Sequence, residues 1–290
     1  MLLDQLAAAG PEERWQALRR IGDSPENRRT LAEIRRNGPG RLRRAALDAL
    51  AYLGGEAALS PADVRIVERL AGIRRRSDPI GPVTSCWTYW WAMRSTDQDE
   101  VVAALGLTHP RPVTYRLAAE AIDTLEHDRE AEQGLVYVGP SVDGWVPVMG
   151  PWCDAFGDRR QEVRALISDL SRRFGEVHAF YFGERGDGSA WHIARAGVPV
   201  RTFDSEEPET SSGEPLPIER EWMAAHNLTG KPEDHPDDLW DITDANNVAA
   251  TISIDVGWHH PTTAITHGLP LLASAPGAGR ILLPPAAYAI

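Results

Sequence analysis

A chain of 290 residues with 42 % hydrophobic and 25 % charged residues is long and apolar enough to bury one large core or two smaller ones, which excludes a wholly disordered protein. Its net charge of −12 is unevenly spread: residues 1–94 carry 16 arginines against 11 acids, net +5, and residues 95–290 carry 14 basic residues against 31 acids, net −17. The acidic balance argues against broad nucleic-acid binding and against anionic membranes, and no apolar run approaches the ~20 residues of a membrane span.

The opening MLLDQLAAAG has no basic n-region and holds Asp4 and Gln5 within its apolar stretch, so it reads as an amphipathic helix and not as a secretory signal. Cys86 and Cys153 are the two cysteines. They read as reduced thiols, which fits a cytoplasmic location. Helices are predicted from about residue 11, with Trp15, Leu18 and Ile21 at helical spacing, and from Ser24-Pro25, a cap followed by a first-turn proline. A third carries Leu42, Ala46, Leu50 and Leu53 up to Gly54-Gly55, and a fourth opens at Ser60-Pro61 with Val64, Val67, Leu70 and Ile73. Short turns between them suggest antiparallel helices stacked in the manner of HEAT repeats.

Residues 77–96 break this pattern with Trp87, Tyr89, Trp90 and Trp91 beside Cys86, and are expected to form an aromatic junction. Helices resume at Asp97 and, after a turn at Pro110 and Pro112, continue to about Gln133. At Gly134 the period changes. GLVYVG and GWVPVMG flank Val142-Asp143-Gly144, a hairpin signal, and Pro147 suggests an edge strand. A helix capped by Asp158 carries Val163, Leu166, Ile167, Leu170 and Phe174 to Gly175. Three strands follow, VHAFYF, AWHIAR and VRTF. Beyond them lie an acidic loop at 204–217, a helix near 218–226, a second acidic loop through 233–241, a helix near 245–252 and an apolar tail.

Cys153 ahead of a helix, with His178 or His192 as base, is the candidate nucleophile. No cysteine-protease string surrounds it. His235, His259, His260 and His267 near Asp255 lack a metal-ligand spacing, so neither a metal nor a cofactor is expected. The glycines of 183–189 join two strands among acids and read as a turn, not a phosphate cradle. The arginines of 28–44 read as the solvated face of helices. Acidic loops beside tryptophans, with Trp222, Trp240, Asp237, Asp238 and Asp241 as binding residues, point to a basic protein or peptide as partner, and not to nucleic acid or membrane.

Three strings carry a resemblance: SCWTYWWAM (85–93), GWVPVMGPWCDAFGD and its continuation to 197, and NNVAATISIDVGWHHP (246–261). With the helical front they resemble an uncharacterised group of actinobacterial proteins with a HEAT-like first half and an α/β second half, a group that brings no activity with it. The helix ending at Phe174-Gly175 and the paired strands bearing Trp191 are also similar to small α/β immunity-type domains of bacterial toxin systems, whose contact residues vary, so that none transfers. The expectation is an α+β protein. It has a helical HEAT-like region at 1–133 and, at 134–290, an α+β domain with acidic loops and a β-β-α-β-β-β core. Its expected function is a non-enzymatic protein- or peptide-binding module of immunity or accessory type. The alternative is a cysteine-dependent hydrolase or biosynthetic accessory enzyme centred on Cys153.

Overall fold

The structure is a computed structural model that describes residues 2–127, 134–236, 244–256 and 265–285. Five helices come first: α1 (Leu2–Ala8), α2 (Pro11–Arg20), α3 (Pro25–Asn37), α4 (Gly40–Gly54) and α5 (Pro61–Arg74). Ser24 and Ser60 cap α3 and α5, each accepting from the amide three residues on, at 3.1 and 3.2 Å. The first four helices share a cluster around Leu6, Leu18, Leu31, Ala46 and Leu50.

The aromatic segment is a strand and not a junction. β1 (Trp87–Arg94) runs through the middle of an antiparallel sheet that has eleven strands among the described residues. Both faces of β1 are covered, so its residues read as an unbroken apolar run with no alternation to betray a strand. After α6 (Gln98–Ala104), β2 (Thr108–Pro112) stands at one edge of the sheet, where two prolines are tolerated, in place of the expected turn. α7 (Tyr115–His127) follows. Residues 1–133 are therefore not purely helical.

The core also crosses the expected boundary. Leu47 and Ala51 of α4 and Val67 and Ala71 of α5 pack in one cluster with Trp90, Phe180 and Trp191 of the sheet. Glu56 ties the same parts together: its carboxylate pairs with Arg111 at 2.8 Å and with Arg280, and accepts from the Leu283 amide. Part of the core is thus shared by α4, α5 and the sheet, beside the cluster of the first four helices.

The remaining strands are β3 (Leu135–Val138), β4 (Ser141–Val142), β5 (Trp145–Met149), β6 (Glu176–Gly183), β7 (Ser189–Arg195), β8 (Val198–Asp204), β9 (Ser212–Gly213), β10 (Ile265–His267) and β11 (Leu271–Ser274). Their main order is β2-β11-β3-β5-β1-β6-β7-β8-β9, with β4 and β10 beside β5. Asp143 and Gly144 take φ of 51° and 81°, and Ala196 and Gly197 take 48° and 87°, which are the paired left-handed conformations of two-residue hairpin turns. Pro147 is not on an edge strand. Its carbonyl accepts from the Gly139 amide, so its nitrogen faces the same side, where Gly139-Pro140 interrupts the partner strand and no N–H is missed.

One sheet face packs on α8 (Arg160–Phe174) through Val163, Ile167 and Leu170 and on Val101 of α6. Asp158 does not cap α8, which starts two residues later from Arg159 without a side-chain cap, and Gly175 ends it at φ 83°. The other face packs on α7, α9 (Pro217–Ala225) and α10 (Ala245–Ile252). Among the described residues no helix is long and apolar enough to cross a membrane.

Candidate functional site

Side chains on one face of a sheet line up in rows across the strands. On the α8 face one row reads Tyr89, Tyr181, Ala190, Asp204, set by the pairings Tyr89 to Tyr181, Tyr181 to Ala190 and Ala190 to Asp204. Trp87, two residues before Tyr89 and opposite Gly183, continues that face at the end of the sheet. The rings of Tyr89 and Tyr181 stack with centroids 4.8 Å apart and planes 23° from parallel. All three aromatic residues are half-buried, which leaves their outer surfaces in reach of solvent.

Carboxylates surround this patch. Past β6 the chain folds back tightly: the Gly183 amide donates to the Gly188 carbonyl, and a Cβ on Gly183 would lie 2.4 Å from the Asp187 carbonyl oxygen. The turn brings Asp187 to the polar edges of Trp87 and Tyr181. Its carboxylate accepts from Trp87 Nε1 at 2.8 Å and its carbonyl accepts from Tyr181 Oη at 2.7 Å. Asp154, in the turn after β5, is held by the amides of Phe156 and Gly157 at 2.8 and 2.9 Å. Asp204 accepts from the amides of Glu206 and Glu207 and thereby orders the first acidic loop.

The charges register on the tyrosines. Burial raises the Tyr181 phenol, and Asp187, Glu206, Asp154 and Asp204 raise it further; burial raises Tyr89, with Asp154 next. The nearby carboxylates thus disfavour added negative charge on the phenols. A built-in cation already uses it: the guanidinium of Arg164 lies 5.4 Å from the centre of the Phe156 ring, with Asp204 and Asp154 among the charges that act on it.

At the edge of this patch the last turn of α7 carries Glu126. Its Oε2 is 2.5 Å from Ser85 Oγ, and its Oε1 is buried with no hydrogen-bond partner among the described residues. Burial pushes the carboxyl up to about 8, and Asp123 and Asp154 add to that. Trp87 packs against His127, ring centres 5.3 Å apart. Aromatic surface flanked by carboxylates is what an ammonium or guanidinium group prefers: the ring faces and the anions attract it together.

The sequence candidates are placed differently. Cys153 is 1 % exposed, in the turn Pro151–Cys153 and well ahead of α8, and its carbonyl accepts from Trp91 Nε1 at 2.8 Å. Burial pushes the thiol well above its ordinary value, and Glu126 and Asp154 act in the same direction. Such a thiol is a poor nucleophile. His178 lies on the other face of the sheet from Cys153, because Val177 and Ala179 on either side of it belong to the α8-side cluster. It bonds Glu176 at 2.8 Å and packs on Trp145. His192 shares the face of Cys153 but is buried and bonded to Thr202 at 2.7 Å, and burial lowers it to about 4. No described hydrogen bond joins either imidazole to the thiol.

Of the expected binding residues, Trp222 packs half-buried on the α9 side of the sheet, and Asp237, Asp238, Trp240 and Asp241 lie outside the described residues. Several acids of the loops are consumed internally. Glu207 pairs with Arg160, and Glu233 pairs at 2.9 Å with the buried Arg201, which also holds Glu219. Arginines of 28–44 are likewise paired, Arg28 with Asp23 and Arg35 with Asp63. His259 and His260 lie outside the described residues, and no group of three His, Cys, Asp or Glu among the described ones is arranged to hold a metal ion.

No protein-family profile, curated protein or solved structure matches this chain, which leaves the geometry as the basis for a functional reading.

Proposed function

We propose that the chain is a protein- or peptide-binding module whose partner presents a basic side chain to the patch formed by Trp87, Tyr89 and Tyr181 between Asp154, Asp187 and Glu206. The stacked tyrosine pair, with Asp187, Glu206 and Asp154 among the charges that act on Tyr181, is the observation that carries this reading. An exposed cation on an aromatic face contributes about 0.5–1 kcal/mol, rising to ~2 as water is excluded. Exposed ion pairs add about 0.2–1 kcal/mol each. One arginine seated here is then worth roughly 1–3 kcal/mol, enough to select a partner but not to hold it alone.

The wider role, an immunity-type or accessory interaction protein with a HEAT-like helical platform, belongs to this proposal: the platform draws on the resemblance of the three strings, and the immunity type on the similarity of the helix ending at Phe174-Gly175 and the paired strands bearing Trp191. The alternative of a hydrolase centred on Cys153 would require that buried thiol to reach solvent and a base, and its surroundings favour neither. The test is calorimetric titration of the full chain with hexa-arginine and with hexa-citrulline, which has nearly the same shape and no charge, at 50 and at 300 mM salt. Binding of the arginine peptide that weakens with salt, with none for citrulline, is expected. Equal heats for the two peptides overturn the proposal.

A further inference from the structure

The helical front carries charge of the opposite sign, and its last helix leaves an apolar face uncovered. On α5 the residues Val64, Val67 and Ala71 point into the core. Successive residues of a helix are 100° apart, so Ile66, Leu70 and Ile73 form a stripe on the outer side. Ile66 is 40 % and Ile73 is 58 % exposed. Arg65 and Arg69 border the stripe on one flank, both exposed and in no ion pair among the described residues. Along the other flank the surface falls into a groove of about 510 Å³ between α5, the 78–82 segment and the start of α7. Ala71 and Leu117 lie at its base, Ile80 and the prolines 79 and 82 form a wall, and Arg74 and Arg116 stand in its lining. Its one acid, Asp78, is turned to the Tyr115 amide at 2.5 Å and caps α7.

We infer that this face docks an amphipathic helix of a partner protein, with its apolar side in the groove and against Ile66 and Ile73 and with acidic residues on its flanks. Two features argue for a helix. The stripe runs straight for seven residues, about 10 Å at 1.5 Å per residue. It is also continuous with an open groove, the surroundings in which helices bind through i, i+4, i+7 anchors. Charge argues for acidic flanks: Arg65 and Arg69 border the apolar stripe, both exposed and in no ion pair among the described residues, and the groove's carboxylate, Asp78, is already engaged. A second copy of this chain does not match. Its other large exposed apolar residues, Val198, Ile265, Leu269 and Leu282, lie on strands or irregular segments, so no described helix of the chain offers an apolar stripe with acidic borders. This inference concerns a different surface from the aromatic patch and stands without it.

The experiment uses the full chain and two fluorescein-labelled designed helical peptides that share one leucine stripe, one flanked by glutamates and the other by lysines, read by fluorescence anisotropy. The glutamate peptide is expected to bind at least tenfold more tightly. Ile66→Gln/Ile73→Gln, which keeps good helix formers, is expected to weaken it tenfold or more with unchanged circular dichroism. Arg65→Glu/Arg69→Glu is expected to reverse the preference between the peptides. Equal binding of both peptides, binding of neither, or indifference to the isoleucine substitutions overturns the inference. So does light scattering that shows a dimer which the isoleucine substitutions convert to monomer, since a second copy would then own the face.

Discussion

Tyr89 and Tyr181 face each other across β1 and β6, and their rings stack 4.8 Å apart beside the Asp187 turn. The pair is set by the sheet register, and the Asp187 turn also holds the Tyr181 hydroxyl, so the stack is formed without a partner. Loss of the ring and loss of the hydroxyl then have different consequences. Tyr181→Phe keeps the stack and gives up one hydrogen bond to the Asp187 carbonyl. Its affinity for an arginine peptide is expected to stay within about twofold of the parent, while Tyr181→Ala loses roughly 5- to 30-fold, the equivalent of a cation on an aromatic face. Calorimetry on the two variants separates these outcomes.

Glu126 holds a proton in the folded protein that the unfolded chain would release. Its carboxyl is raised from 4.5 to about 8. Between those values the folded state binds more protons than the unfolded state, so stability falls as pH rises. The contribution is complete below about pH 4.5 and is lost through pH 8. Urea denaturation at pH 5, 7 and 9 is expected to show Glu126→Gln losing ~1–3 kcal/mol less than the parent across that range. A parallel fall in both proteins would mean that Glu126 titrates normally.

Cys153 is expected to resist modification. Native protein treated with a thiol reagent at pH 7.5 should label half-buried Cys86 first, and Cys153 only as fast as the chain opens. Peptide mapping of the labelled sites decides this. Cys153→Ser places a hydroxyl in an apolar pocket and is expected to cost about 1–3 kcal/mol of stability.

The buried ion pair of Arg201 and Glu219 organises the far edge of the sheet. Glu219 accepts from Arg201 Nε, from Trp191 Nε1 at 2.9 Å and from the Leu216 amide that opens α9. Glu219→Ala would leave a guanidinium buried with Glu233 and the Ser212 and Gly213 carbonyls to answer it, and is expected to destabilise the fold by about 3–5 kcal/mol. Thermal denaturation should show Glu219→Gln, which retains an acceptor, closer to the parent.

Local chemistry was legible where it is local. The caps at Ser24 and Ser60, the stop at Gly175 and the hairpin turn at Asp143-Gly144 follow from residue type alone. β1 was not, because a central strand covered on both sides loses the alternation that marks a strand. That loss hid the candidate site as well. Once residues 87–94 are a strand, Trp87 and Tyr89 fall on one face, but only the register with β6 brings Tyr181 beside them, and only the turns place Asp154 and Asp187 there. The emphasis on Cys153 came from its position before a helix in sequence. Six residues lie between it and Arg160, the first residue of α8, and it sits in the separate turn Pro151–Cys153, where burial raises the thiol.

The central claim is the location of the basic side chain, and nitrogen-15 NMR reads it directly. As hexa-arginine is titrated into the labelled full chain, the Trp87 indole N–H, bonded to Asp187, and the Phe156 and Gly157 amides, bonded to Asp154, are expected to shift together along one binding curve. The indoles of Trp91 and Trp191, buried and bonded to Cys153 and Glu219, are expected to stay in place. A still Trp87 resonance beside a moving Trp222 would contradict the account and return the binding site to the acidic loops near α9.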